Sequence, residues 1–247
     1  MKIGILGVGY IGETLVRKLS SAGHSIRVAN SRDPETLEDL ANETGATAVW
    51  AADAVKDVDV IILSIPFEFM PSLKSVLADV PKDIPVIDTS NYYPHRDGHI
   101  AAIDEGQVES LWVAEQIGRP VTKAWNAMLA GTLRKNGKSK GEAGRTAVPV
   151  AGDVVNAKRI AMALVEETGF DALDAGSIVD SWRQQTGNPA YCTELTVDQL
   201  KVALTKANRE LAPKLRDLGI SVVLTFGTEF DNDDLLKVNR AITRFPK

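Results

Sequence analysis

Apolar residues recur along this chain with two alternating periods. Short, nearly continuous apolar runs cover Lys2–Leu6, Ser25–Ala29 and residues 46–51, 58–65, 85–87, 121–125 and 147–151. Between them the apolar positions return every three or four residues, as on one face of a helix. Ile11, Leu15, Leu19 and Ala22 form the first such stripe, and Gly23 suits its end. Asp33 followed by Pro34 reads as an N-cap and first helical position. Further helices are predicted over residues 108–117 and 156–168. Strands alternating with helices predict βαβ units and a parallel sheet. The run at 58–65, stopped by Pro66, suits a central strand covered on both faces.

Residues 129–147 break this rhythm. They hold Gly131, Gly137, Gly141 and Gly144 among Arg134, Lys135, Lys138, Lys140 and Arg145, which predicts a mobile surface loop. Beyond Gly176 the pattern is mostly helical. A long helix is expected over 192–218, with Pro213 late in it, then a strand over 221–226 and a closing helix over 233–243. The chain thus divides into a first domain, residues 1–176, and a C-terminal domain, residues 177–247, expected to complete a substrate cavity and a dimer interface. Trp182, Tyr191 and the long helix are the interface candidates.

The sharpest motif is Gly7-Val8-Gly9-Tyr10-Ile11-Gly12, which ends the first strand and opens the first helix. That context turns a common glycine pattern into a dinucleotide-binding signature. Gly7 permits the tight turn, Gly9 lets the backbone approach a pyrophosphate, and Gly12 lets the helix pack close to the sheet. The N–H groups of Tyr10 and Ile11 belong to the helix terminus that faces the phosphates. The fold class is therefore α/β, a Rossmann-type doubly wound and mainly parallel sheet with a smaller, mostly helical C-terminal region. The second strand ends in Asn30-Ser31-Arg32, where an NAD-binding protein usually places a carboxylate. A hydroxyl and a guanidinium suit a ribose 2′-phosphate instead, which predicts NADP(H). Asp33 and Glu35 come slightly late and are assigned to the helix start.

Ligands on such sheets lie outside the carboxyl ends of the strands. Ile65 and Pro66 are expected along the cofactor's path, with Asn91, Asn126 and Ala127 toward the nicotinamide. No convincing acid–base pair accompanies them. His24 falls in a turn away from that edge and reads as structural. His95 is the one weak proton-donor candidate, in the loop after the fifth strand, and His95 with His99 lacks the carboxylate pattern of a metal site. Cys192 has no evident activating partner. Lys123 lies within a strand and is expected to snorkel. An alcohol dehydrogenase must move a proton as well as a hydride. Transfer between two cofactor rings asks mainly for stacking and a dry pocket.

Composition narrows the classes further. The 247 residues are 44% hydrophobic and 25% charged, with a net charge of −5, which gives no bulk basic surface for nucleic acid. One cysteine and three histidines suit a reducing compartment and leave little material for a metal. No apolar run reaches membrane-spanning length. A cytoplasmic protein acting on a small molecule is expected, with neither nucleic acid nor membrane as partner.

Taken in order, Gly7–Gly12, Asn30-Ser31-Arg32, Ser64-Ile65-Pro66, Lys123-Ala124-Trp125-Asn126, Val150-Ala151-Gly152-Asp153 and Asp174-Ala175-Gly176 resemble the NADP oxidoreductases dependent on coenzyme F-420, an 8-hydroxy-5-deazaflavin. The likeness covers about residues 2–180. It implies hydride transfer between NADP(H) and the deazaflavin, with Ser31 and Arg32 on the 2′-phosphate, and a homodimer. Trp182-Arg183-Gln184-Gln185 and Pro189-Ala190-Tyr191 resemble the bacterial branch, for which a flavin, a ferric chelate or another small acceptor stands beside the deazaflavin. Arg134, Lys135 and Lys138 could then meet an anionic tail. Reduction of a small imine or carbonyl, and a non-catalytic NADP-binding regulator, are the alternative readings.

Overall fold

The computed structural model describes residues 1–227 and 231–244. The first six strands are β1 (Lys2–Leu6), β2 (Ser25–Ala29), β3 (Thr47–Ala48), β4 (Val60–Leu63), β5 (Val86–Asp88) and β6 (Thr122–Lys123). They form one parallel sheet in the order β3-β2-β1-β4-β5-β6. The order reverses between β1 and β4, so a crevice opens there at the carboxyl edge. The helices between them are α1 (Tyr10–Ser21), α2 (Glu38–Thr44), α3 (Ala51–Ala54), α4 (Leu73–Val76), α5 (Pro94–Asp97), α6 (Ala101–Asp104) and α7 (Glu109–Ile117). After β6 come α8 (Ala130–Lys135), β7 (Ala147–Val150), α9 (Val155–Glu167) and β8 (Asp171–Asp174). The chain closes with α10 (Val197–Thr205), α11 (Ala212–Phe226) and α12 (Asn232–Thr243).

The sheet carries a core on each face. Val60 and Ile62 of β4 join Leu15, Leu19, Leu164 and Val165 on one side. Ile61 and Leu63, the alternate residues, join Ala54, Val55 and Val113 on the other. This is the doubly covered strand that its unbroken apolar run requires. Asp33 accepts a hydrogen bond from the Glu35 N–H at 3.0 Å, capping a 3-10 turn at Pro34–Leu37 as its sequence position predicts. Ala22 lies past the end of α1 and is exposed.

Three expectations are corrected. Residues 221–226 are the end of α11 and not a strand. Leu215, Leu218, Val222 and Phe226 are spaced three and four apart, and that period outweighs the β-branched pair Val222–Val223. The long helix expected over 192–218 is two helices, α10 and α11, because Pro213 sits in the first turn of the second. The segment 129–147 is not uniformly a mobile surface loop. It begins with α8, in which Thr132 and Leu133 are buried, and it ends with a buried Arg145. Strand β7 then pairs in parallel with β8 in a separate two-stranded sheet.

Arg145 fixes that segment. Its guanidinium meets Glu166 at 2.7 Å and Asp171 at 2.5 Å, and donates to the Glu166 and Lys138 carbonyls. Removing it leaves two acids facing each other at 28% side-chain exposure. Arg145→Ala is therefore expected to lower unfolding free energy by about 3 kcal/mol in urea denaturation, the low end for a broken buried pair. Lys140, 82% exposed and 3.7 Å from Glu166, should cost below about 1 kcal/mol when changed to Ala.

Candidate functional site

The crevice at the β1–β4 switch is built by the glycine turn. Gly7 has φ +101° and donates to the Ala29 carbonyl at 2.8 Å. A Cβ on Gly7 would stand 2.2 Å from the Ser64 carbonyl oxygen, and one on Gly12 would stand 2.1 Å from that of Gly7. Both positions therefore exclude a side chain. A Cβ on Gly9 would meet no protein atom within 4 Å and would project into open space above the start of α1. Gly9 is the N-cap and offers no side chain to the first-turn N–H groups, which are left for a ligand. The cradle thus fits a pyrophosphate.

Gly7, Gly9, Asn30, Ser31, Arg32, Ile65 and Pro66 line one cavity of about 560 Å³. Asn30 shapes its basic rim: its Oδ1 accepts the Arg32 N–H at 2.8 Å, and its Nδ2 donates to Thr36 Oγ1. Arg32 is exposed and carries no ion pair among the described residues. Asp33 is spent on its own helix start and does not line the cavity. The arrangement fits a 2′-phosphate, since no carboxylate would repel it. Of the other residues expected at the cofactor, Tyr10 is 75% exposed and Gly12 is packed against the turn. With Ile11 they support the cradle without lining the cavity.

Beyond the ends of β5 and β6, Asn126 is buried and Asn91 half-buried. Asn91 Nδ2 donates to the Asn126 carbonyl at 2.9 Å, and Asn126 Nδ2 donates back to Asn91 Oδ1 at 3.0 Å. Gln184 Nε2 donates to Asn126 Oδ1 at 2.9 Å. Ala127 is buried, and its carbonyl accepts the Cys192 N–H. Beneath this pair, Lys123 does not snorkel. It is fully buried, bonded to Asp88 Oδ2 at 2.8 Å and to the Ser90 carbonyl at 2.5 Å. Glu109, also buried, accepts the Tyr92 N–H, and desolvation pushes its carboxyl up to about 7.

A second cavity, of about 300 Å³, lies beyond that edge between the loop after β5 and helices α11 and α12. Tyr93, Tyr191 and Arg216 line it, with His95 exposed at its rim. The Tyr93 and Tyr191 hydroxyls are hydrogen-bonded to each other. Arg96 holds Asp97 with Nε and Nη2, and its Nη2 also donates to the Asn91 carbonyl, so one guanidinium joins the cavity wall to the asparagine pair. Sequence reasoning missed Tyr93, Tyr191 and Arg216 as a group. Tyr93 stands two residues beyond Asn91, which was a usable signal, whereas nothing local marks Arg216. His24 contacts the Met1 amine and Glu167, far from either cavity, and His99 contacts Asp104. Arg134, Lys135 and Lys138 line neither cavity. Burial pushes the Cys192 thiol up to about 12, so it is no nucleophile at neutral pH. Among the described residues no cluster could hold a metal ion, and no helix is long and apolar enough to cross a membrane.

The sheet order and glycine cradle define a Rossmann-type dinucleotide-binding protein. Residues 2–92 match the family of NADP oxidoreductases, coenzyme F-420-dependent, which the ordered motifs resemble. This region accordingly resembles the cofactor-binding part of that family. The chain is 51% identical over 55 residues to the protein YjhV of Escherichia coli K12, across 22% of this chain and 40% of that protein. It is 28% identical over 180 residues to metalloreductase STEAP3 of Rattus norvegicus, across 73% of this chain and 35% of that protein. The matches thus span about two fifths or less of those curated relatives. A hypothetical protein from Sinorhizobium meliloti superposes with a TM-score of 0.68 at 28% identity, covering 79% of this chain and 95% of that one. A candidate F-420-dependent NADP reductase from Arthrobacter shares the fold, with a TM-score of 0.64 at 19% identity over 90% and 95% of the two chains.

The Glu109 carboxyl gives a pH test of this edge. Its group holds a proton in the folded protein up to about 7, whereas its ordinary value is 4.5. Between those values the unfolded chain releases the proton first, so this group lowers stability as pH rises. Glu109→Gln should remove that contribution. Urea denaturation should find the variant's stability relative to wild type higher at pH 8 than at pH 5, by on the order of 1–3 kcal/mol.

Proposed function

We propose that the protein is an NADP(H)-dependent oxidoreductase that moves a hydride between NADPH and an organic acceptor. The observation that carries this is the convergence of the glycine cradle and the unpaired Arg32 on one cavity at the sheet's switch point. A dinucleotide with its phosphates over Gly9 and its adenosine end at Ser31 and Arg32 would run across β4 toward β5 and β6. Its nicotinamide would then approach Asn91 and Asn126, and the acceptor the second cavity. The bound cofactor would supply the hydride. The protein's own part is to bind, to orient the reacting rings and to exclude water.

For the acceptor, the family likeness supports a deazaflavin or flavin-like ring. The residues that would meet the acceptor lie mostly beyond residue 92, outside the family match. A specific observation favours a second reading, the reduction of a small carbonyl or imine. The cavity is at the small end for an organic ligand, and its Tyr93–Tyr191 pair offers a hydroxyl donor that exchange between rings does not require.

Two experiments test these assignments. NADPH oxidation followed with deazaflavin, FMN, ferric chelate and a cyclic imine in parallel should show turnover with at least one. Turnover with none of the four would overturn the catalytic reading in favour of a regulator. Arg32→Ala should raise the NADPH KM at least about tenfold more than the NADH KM, because a lost charged phosphate contact costs roughly 1.5–3 kcal/mol. Equal effects on both cofactors would remove Arg32 from the 2′-phosphate.

A further inference from the structure

The cavity beyond β5 has a definite chemistry of its own. Its walls are chiefly aliphatic, from Leu129, Val223, Val238 and Ile242, and no carboxylate lines it. Two cations and a histidine do, but the two arginines differ. Arg96 has spent Nε and Nη2 on Asp97 and on the Asn91 carbonyl. Arg216 has spent only Nε, on Asp217 at 2.8 Å, and its side chain is 11% exposed. It lies over the Tyr92 ring at 5.4 Å, a cation–π contact. Its Nη atoms have no hydrogen-bonding partner among the described residues. Asp217 meets its charge on one side, and the Nη N–H groups of this largely buried guanidinium are left for an acceptor, whose fork a planar carboxylate matches.

The hydroxyls supply the second requirement. Tyr93 and Tyr191 meet through their hydroxyls, and both line the cavity. Burial pushes both phenols up, so both keep their hydrogens at neutral pH. Two O–H donors share one contact, which leaves one hydrogen uncommitted. With Tyr191 donating to Tyr93, the Tyr93 O–H is left for an acceptor atom in the cavity.

We propose that this cavity binds a small organic monocarboxylate bearing a carbonyl or imine group, with its carboxylate on Arg216, its C=O or C=N on the Tyr93 hydroxyl, and its apolar body against α11 and α12. The site rests on the second acceptor reading above and gives it a substrate class.

The test is direct binding without NADPH, by calorimetry, using three probes. Phenylpyruvate carries both groups, 3-phenylpropionate only the carboxylate, and phenylacetone only the carbonyl. Wild-type protein should bind phenylpyruvate at least about fivefold more tightly than either partial analogue, as expected for one added hydrogen bond or ion pair. Tyr93→Phe should weaken phenylpyruvate by about 3–10-fold and leave 3-phenylpropionate unchanged. Arg216→Ala should weaken both acids at least about tenfold and leave phenylacetone unchanged. Thermal melts report whether each variant folds; if Arg216→Ala does not, the wild-type ranking and Tyr93→Phe still decide. No binding of phenylpyruvate, or equal binding of all three probes, overturns the proposal. So does a Tyr93→Phe loss that is the same for keto and non-keto acids. Binding as predicted with no NADPH oxidation by any acceptor would leave the pocket standing and remove the catalytic reading. NADPH oxidation by an acceptor indifferent to both variants would do the reverse.

Discussion

The Lys123 ammonium is the point on which the carboxyl edge of the sheet hangs. A fully buried cation is costly unless its charge and its N–H groups are met. Here Asp88 supplies the charge from the neighbouring strand, and the Ser90 carbonyl takes a second N–H. Asp88 in turn accepts from Ser90 N and Oγ, and from Ser110 Oγ at 3.3 Å. The backbone of the same lysine exchanges two hydrogen bonds with Ala151, at 2.8 and 3.0 Å, and so joins β6 to the β7–β8 pair. One residue therefore fixes the register of β5 on β6, the turn at Ser90–Asn91 and the seat of the smaller sheet. The Asn91–Asn126 pair is held at a set separation because each asparagine lies in the short segment just after one of the two strands that this ion pair binds together.

This rigidity separates two environments that would otherwise merge. On the β1–β2 side the crevice is open, ends in backbone N–H groups and carries an unpaired arginine. It is suited to the charged half of a dinucleotide. On the β5–β6 side the groups are mostly buried and bonded to one another, Gln184 Oε1 excepted, and the cavity beyond is largely aliphatic. Low dielectric there strengthens each remaining polar interaction, so a few donors can select a ligand. The desolvation that lifts Glu109 and the two phenols belongs to this second environment. A hydride donor and its acceptor need such a division: solvated phosphates at one end, and a dry meeting point at the other.

The first half of this organisation was legible in the sequence because its signals are local. A glycine is demanded by a backbone contact within its own turn, as at Gly7, and a cap by the next three residues, as at Asp33. The parallel sheet follows from apolar runs that need no knowledge of distant partners. The second half depends on contacts between residues far apart in the chain. Lys123 in a strand reads as a charge seeking water, and only the fold reveals Asp88 beside it, 35 positions away. Tyr93 and Tyr191 are 98 positions apart, and the run Pro189-Ala190-Tyr191 that marks the second says nothing of its partner. Pro213 is ambiguous in sequence, since proline both breaks helices and begins them. Tertiary packing chose the second role.

The same long-range logic accounts for two backbone conformations that no local rule would select. Trp125 and Cys192 adopt left-handed φ values of +58° and +52°, although neither is glycine. Such residues cost on the order of 1 kcal/mol or more and persist where surrounding contacts hold them. Trp125 is fully buried, and its Nε1 donates to Thr168 Oγ1 at 3.3 Å. Cys192 is held by the hydrogen bond from its N–H to the Ala127 carbonyl at 3.0 Å. The first turns the chain so that Asn126, the next residue, faces Asn91. The second presents Tyr191, the preceding residue, to Tyr93. The two left-handed residues thus stand next to the two polar pairs that flank the edge, one beside Asn126 and the other beside Tyr191.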